Sequence, residues 1–183
     1  MAIADSLLRT HVRQSNLIEN IVAFPSEPLY EGHLEAARIA ARGIIVHPNQ
    51  LHRLVCESVY PMRHFAGRYR TCDVVVGDKI MPRWEEIPPL MSRWLEMAGQ
   101  FVEIESSYSE YAAYLLHAWL LCIHPYQDGN GRTARLVWNM LRVNKSFSWH
   151  IVLASEKLDY YSQIRFIEKN VFRKENPEAC PNR

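Results

Sequence analysis

SEYAAYLLHAWLLCIHPYQDGNGRTARLVWNMLRV, residues 109–143, is the stretch whose reading decides the fold. In its first half Ala112, Leu115, Leu116, Trp119, Leu120 and Ile123 recur at three- and four-residue steps. That spacing predicts a helix with a broad buried face, the central helix of the protein. In its second half Ala134, Val137 and Leu141 repeat the helical period. Between them lies HPYQDGNGR, residues 124–132, where Pro125 fixes a turn and two glycines fall within three positions. The unit reads as helix, loop, helix.

Outward from this unit the pattern stays helical. Residues 5–22 predict a first helix, with Leu8, Val12, Ser15, Leu17, Ile18 and Ile21 on a mostly apolar side and Pro25 and Pro28 closing it. Glu31 to Val46 predicts a second, stopped by Pro48, and Gln50 to Tyr60 a third, stopped by Pro61. Between Tyr69 and Met81 the character changes, for Val74, Val75 and Val76 are β-branched and Gly77-Asp78 favours a tight hairpin turn before Lys79-Ile80-Met81. Beyond Pro82, Pro88 and Pro89, the residues Met91, Trp94, Leu95 and Ala98 mark a further amphipathic helix. The expected class is mainly α with one small β-hairpin.

The chain has 183 residues, of which 48% are hydrophobic, and its 21 basic and 20 acidic side chains leave a net charge of +1. A balance so close to zero, without blocks of like charge, argues against direct nucleic-acid binding. The longest nearly apolar run, Tyr111 to Ile123, is too short to cross a membrane, and the N-terminus carries Asp5, Arg9 and Arg13 where a secretory signal needs an uninterrupted apolar core. The expectation is a whole, cytoplasmic chain forming one domain over residues 1–183, with a homo-oligomer left open. Cys56, Cys72, Cys122 and Cys180 are scattered without CxxC spacing and read as reduced thiols. His47 with His52, and His117 with His124, lack a third ligand and read as packed or solvated imidazoles.

The loop carries the chemistry. Gly129 and Gly131 flank Asn130, so the backbone can form a concave nest of N–H groups above the N-terminus of the following helix, a setting that favours phosphate. Arg132 and Arg135 lie one turn apart on that helix and can grip one polyphosphate. Asp128, acceptor-only beside such a phosphate, suits a Mg²⁺ ion shared with phosphate oxygens. His124 has an intrinsic pKa suited to taking a proton from an attacking hydroxyl. Taken alone, His124 would read as a helix cap before Pro125, and Glu19 as a solvated helix charge.

HPYQDGNGRTAR resembles the signature of the Fic (Fic/DOC) family, H-x-F-x-D/E-G-N-G-R-x-x-R, with Tyr126 in place of the usual Phe. The resemblance implies a Fic-type helical bundle that transfers AMP from ATP to a Ser, Thr or Tyr hydroxyl of a target protein, and to itself. By that likeness His124 is the general base, Asp128 holds Mg²⁺, and Gly129, Asn130 and Gly131 receive the α- and β-phosphates. Arg132 meets the β-phosphate and Arg135 the γ-phosphate. The segment 67–91 is similar to the family's flap, in which Val76, Gly77, Asp78, Lys79 and Ile80 would dock an extended target segment by strand addition. Ser15-Asn16-Leu17-Ile18-Glu19-Asn20 fits the family's inhibitory pattern S/T-x-x-x-E-G/N, which implies that Glu19 pairs with Arg135 and restrains the enzyme, with Ser15 and Asn20 as its fixed companions. Tyr160-Tyr161 resembles a tyrosine pair bordering the nucleotide base, whereas Ser148-Trp149-His150 departs from the Gly-hydrophobic-Pro often found before it. The motif leaves open another donor (UTP, GTP, phosphate or phosphocholine transfer), a non-catalytic nucleotide-binding regulator, and a reverse reaction in which water removes AMP.

Overall fold

The computed structural model describes residues 3–104 and 106–172. Among them are seven α-helices and one two-stranded antiparallel sheet: α1 (Asp5–Ile18), α2 (Pro28–Ala40), α3 (Pro48–Cys56), β1 (Val75–Val76), β2 (Lys79–Ile80), α4 (Ile87–Gln100), α5 (Ser106–Ile123), α6 (Asn130–Asn144) and α7 (Lys157–Ile167). The mainly α class with a small hairpin is the observed one. No helix among the described residues is long and apolar enough to cross a membrane.

Helix limits follow the backbone chemistry more closely than the apolar period. Helix α1 stops at Ile18, four residues before its expected end, because Asn20 takes a left-handed φ of 59°. Asn tolerates that conformation better than most side chains. Helix α2 starts earlier than expected, with Pro28 in its first turn, and ends before Gly43, whose φ is 66°. Helix α3 ends at Cys56, short of the expected Tyr60, and α4 begins ahead of its two prolines, which sit in the first turn, where a missing N–H leaves no bond unmade. In the hairpin Val75 pairs with Ile80 and Val76 with Lys79, and of the two turn residues only Gly77 has positive φ. That is the arrangement a II′ turn requires of its first residue.

One apolar core draws side chains from all seven helices. Helices α5 and α6 lie side by side at its centre, with Glu110 paired to Arg142 and the rings of Tyr114 and Trp138 5.1 Å apart. Trp94, 1% exposed, anchors α4 by donating its indole N–H to Leu116 O at 2.8 Å. Helix α1 is held by Asp5 to Arg38 of α2 and by Gln14, whose side chain accepts from Ala154 N at 2.9 Å. None of Cys56, Cys72 and Cys122 is in a disulfide, and Cys180 lies outside the described residues.

Beneath the 124–130 loop is an aromatic layer. The His52 ring stacks on Tyr126 with centroids 3.8 Å apart and planes 6° from parallel. The phenol that replaces the usual Phe donates to Asn49 Oδ1 at 2.8 Å, so its extra hydroxyl is satisfied within the chain. Three further imidazoles, His11, His33 and His117, are fully enclosed. Burial pushes His11 and His117 down to about 3, with Arg135 acting in the same direction, and His52 down to about 4. His33 is held well below its ordinary value by burial and by the charges of His11, Arg132 and Arg135.

Two outcomes follow from this interior. Burial disfavours the imidazolium in the folded state only, so below about pH 6.5 the unfolded chain binds more protons and stability falls as pH falls. Urea unfolding should show a plateau above pH 7 and a decline below 6.5, of up to about 1.4 kcal/mol per pH unit for each of these histidines. A flat profile down to pH 5 would mean that the rings accept protons in place. In a double-mutant cycle on Tyr126→Phe and Asn49→Ala, the coupling should be about 1 kcal/mol, the usual worth of a buried neutral hydrogen bond.

Candidate active site

Helix α5 ends at Ile123, and His124 follows with φ 52° while its N–H still reaches Leu120 O at 3.1 Å. Pro125 disfavours the right-handed helical conformation at the residue before it, and His124 closes α5 as a left-handed cap. The cap expected of His124 is the one observed. After buried Tyr126 the loop is clamped by Asn130, whose Oδ1 accepts from Tyr126 N at 2.9 Å and whose Nδ2 donates to Tyr126 O at 2.7 Å.

The two-glycine nest is not what forms. Only Gly129 is left-handed, at φ 74°, while Asn130 and Gly131 are already the first turn of α6. The unpaired donors here are those of a helix N-terminus, backed by its dipole. Gly131 is needed for a different reason: a Cβ there would stand 2.0 Å from Glu19 Oε1 and 3.2 Å from Arg135 Nη1. Its bare α-carbon lets a carboxylate reach the helix end.

Arg132 and Arg135 are 1% and 0% exposed. Arg135 has partners from α1 and the residue beyond it, donating Nε to Ser15 Oγ at 2.9 Å and Nη2 to Ser15 O at 2.9 Å and to Glu19 Oε1 at 2.7 Å. Glu19 lies one residue past α1, and Asn20, with its positive φ, turns the chain away at once. Tyr161 donates its hydroxyl to the same Glu19 oxygen at 3.4 Å, and Lys157 reaches Asn20 Oδ1 at 3.3 Å. Tyr160 lies with its ring 5.9 Å from the Arg135 guanidinium carbon and its hydroxyl 2.8 Å from His117 Nε2. The tyrosine pair therefore borders the Arg135 and Glu19 contact. Arg132 differs: none of its three guanidinium nitrogens has a hydrogen-bond partner among the described residues, and Asp128 Oδ1 stands 3.8 Å from Nη2.

Asp128 is 60% exposed at its side chain, with Oδ1 also accepting from Gly129 N. Its backbone is fixed from below by His52. Gly67 N donates to His52 Nδ1 at 2.8 Å, so Nε2 carries the proton and donates to Asp128 O at 2.9 Å. Among the described residues no group of three or more His, Cys, Asp or Glu could hold a metal by itself. A carboxylate at the rim and a buried guanidinium with no hydrogen bond among the described residues fit a metal shared with phosphate oxygens.

His124 is half-buried, and its pKa is pushed down to about 4 by burial, with Arg70 and Lys79 acting in the same direction and a Leu121 backbone bond and Glu19 opposing. The ring is therefore neutral near pH 7 and able to accept a proton. In the hairpin, Val76, Gly77, Asp78 and Ile80 are exposed, and Lys79 forms an ion pair with Glu168.

Three residues that hold this site carry no signal of their own in the sequence. Arg70 donates Nε to His124 O at 2.9 Å and its other two nitrogens to Cys72 O and Pro82 O, while its backbone N–H bonds Pro125 O at 2.9 Å. His52 and Asn49 act from α3 on Asp128 and Tyr126. Only the extra hydroxyl of Tyr126 hinted that such a partner existed.

Comparison with known proteins gives the family. A profile of the Fic/DOC family matches residues 45–141, which takes in α3 through most of α6 and leaves α1 and Glu19 outside it. A protein adenylyltransferase Fic from Nematostella vectensis is 35% identical over 116 residues, covering 63% of this chain and 26% of that protein. One from Culex quinquefasciatus is 32% identical over 127 residues, covering 68% and 24%. The chain thus spans about a quarter of the length of these curated relatives. Among solved structures, Fic-1 (residues 134 to 508) from C. elegans superposes with a TM-score of 0.70 at 19% identity, covering 95% of this chain and 59% of that one. A Fic domain containing signaling protein from Bacteroides thetaiotaomicron gives 0.69 at 18% identity, covering 90% and 73%. At those identities the likeness speaks for the fold alone, and the motif and the family profile carry the rest: the chain belongs to the Fic/DOC family.

Proposed function

We propose that this chain is a protein adenylyltransferase, moving AMP from ATP to a hydroxyl side chain on an extended segment of a target protein, and that Glu19 restrains it. The observation that carries the reading is the pair of enclosed arginines on α6. One, Arg132, has no hydrogen-bond partner among the described residues and only the rim carboxylate of Asp128 at 3.8 Å, and the other, Arg135, is held by a carboxylate where a terminal phosphate would compete. An enclosed guanidinium is stable only with an anion or a full set of acceptors around it, and a polyphosphate along the α6 N-terminus supplies both.

In this reading Arg132 receives the β-phosphate, Arg135 the γ-phosphate once Glu19 withdraws, and the N–H groups of Asn130 and Gly131 the oxygens between. Mg²⁺ held by Asp128 and phosphate oxygens would neutralise charge on the departing pyrophosphate. The target hydroxyl oxygen bonds to the α-phosphorus as the bond to the bridging oxygen breaks, and the hydroxyl proton passes to the neutral His124 ring. Everything the chain does here is positioning and charge compensation. Tyr160 and Tyr161, which border Arg135 and Glu19, would meet the nucleoside. Trp149 is buried, its ring 5.1 Å from that of His11, so this part of the departing 148–150 segment serves the core.

The test is incubation of wild type, Glu19→Gly and Glu19→Gly/His124→Ala with ATP labelled on its α-phosphate, Mg²⁺ and candidate targets. Label should be faint in wild type and about tenfold stronger or more once Glu19 is gone. It should then fall about 100- to 10,000-fold without His124, the span of general-base contributions. Equal label without His124 would overturn the base assignment, and equal label with and without Glu19 the restraint. If Glu19→Gly transfers from UTP, GTP or CTP and not from ATP, the donor is wrong while the chemistry stands.

A further inference from the structure

The hairpin's two legs meet at Arg70. The leading leg is tied to the trailing one by Met81 N to Val74 O at 3.1 Å and by Trp84 N to Asp73 Oδ1 at 3.0 Å. Below these bonds the Arg70 guanidinium lies between the legs, donating to Cys72 O on one and Pro82 O on the other. Its third nitrogen, Nε, turns the opposite way to His124 O at 2.9 Å, and its backbone N–H takes the next carbonyl, Pro125 O. Four carbonyl-directed bonds from one residue thus join the seat of the hairpin to the backbone of the loop.

Arg70 is 2% exposed, and no ion pair with it forms among the described residues. Burial lowers its pKa, against the more distant Asp73, Cys72 and Glu86. A buried charge held by carbonyls alone is an expensive way to fill space, since an apolar side chain of like volume is commonly as stable or more so. What an apolar side chain cannot do is fix three carbonyls in one plane, and neither can the compact ammonium of a lysine. One of the three belongs to His124, the residue in a left-handed conformation, which a non-glycine side chain keeps only when its surroundings hold it there.

We propose that Arg70 is a positioning residue for the transfer reaction: it holds the His124 backbone and the foot of the hairpin as one body, so that a target laid along β1 or β2 arrives in register with the base. The inference rests on the adenylyltransferase reading for its catalytic consequence, and on the hydrogen bonds alone for its structural one. Two variants separate charge from geometry. Arg70→Lys keeps the charge and loses the fork, and Arg70→Gln loses both.

In the Glu19→Gly background, both variants should lose about 100-fold in kcat/KM for the target, the order expected of roughly 1 Å of misplacement. The KM for ATP should stay within about twofold, because Arg132 and Arg135 are untouched. In the otherwise wild-type chain, NMR titration of the His124 ring gives a second readout. Burial is the main cause of its low pKa, and Arg70, Lys79 and Glu19 are the charged groups acting on the ring, so Arg70→Gln should raise the pKa modestly while Arg70→Lys leaves it low. Parental kcat/KM in either variant, once shown to be folded, would overturn the proposal. If Glu19→Gly transfers nothing from any donor, the adenylyltransferase reading falls, and exchange of the Arg70 Nε–H decides on the clamp by itself. If neither variant folds, exchange of the Arg70 Nε–H in wild type decides: protection as slow as that of core amides supports the clamp, and rapid exchange with solvent overturns it.

Discussion

Two guanidinium groups enclosed at the start of α6 constrain everything built around them. A charge without water needs acceptors of fixed geometry, and the chain supplies them unequally. Arg135 takes a hydroxyl, a carbonyl and a carboxylate from the end of α1, whereas Arg132 takes none from the described residues. Helix α1 is consequently both a core element, burying Leu8, Val12 and Ile18, and the bearer of the counter-charge. Burial, with the nearby Arg135 acting in the same direction, keeps the surrounding imidazoles neutral, so the interior beneath the loop holds polar rings without further positive charge.

The loop illustrates how few residues are needed to turn a helix pair into a site. His124 ends α5 because proline follows it, Gly129 makes the reversal, and Asn130 locks it with two bonds to the Tyr126 backbone. From below, His52 supports both ends of this arrangement, stacking on Tyr126 and donating to Asp128 O. The residues with chemical work to do are therefore positioned by neighbours that have none.

The sequence shows the local parts of this design well and the long-range parts poorly. Helix, loop and helix could be read from periodicity because each half obeys one period over many residues, and the hairpin from Gly77-Asp78 between β-branched runs. The end of α1 could not, because Ile21 continues the apolar pattern past the point where Asn20 turns the backbone left-handed. The likeness to a known motif leads to Glu19, Arg132 and Arg135, yet the spacing reads Gly131 as half of a nest, whereas in the structure its bare α-carbon leaves room for a carboxylate. Arg70 was invisible for a more general reason. Its acceptors are backbone carbonyls, identical in every residue, so no spacing or composition marks the positions that receive it.

The brevity of the hairpin has a consequence of its own. Each strand has two residues, and Val75, Val76 and Ile80 lie open to solvent at its tip. A long apolar edge of that kind would invite another chain to add to it without limit, and shortness is one of the ways in which β proteins avoid such stacking. Two residues offer an arriving strand only a couple of backbone bonds, each of modest net value in water. Pairing of this kind is readily reversible, which, in the proposed reaction, would let the hairpin release a product identical in backbone to its substrate.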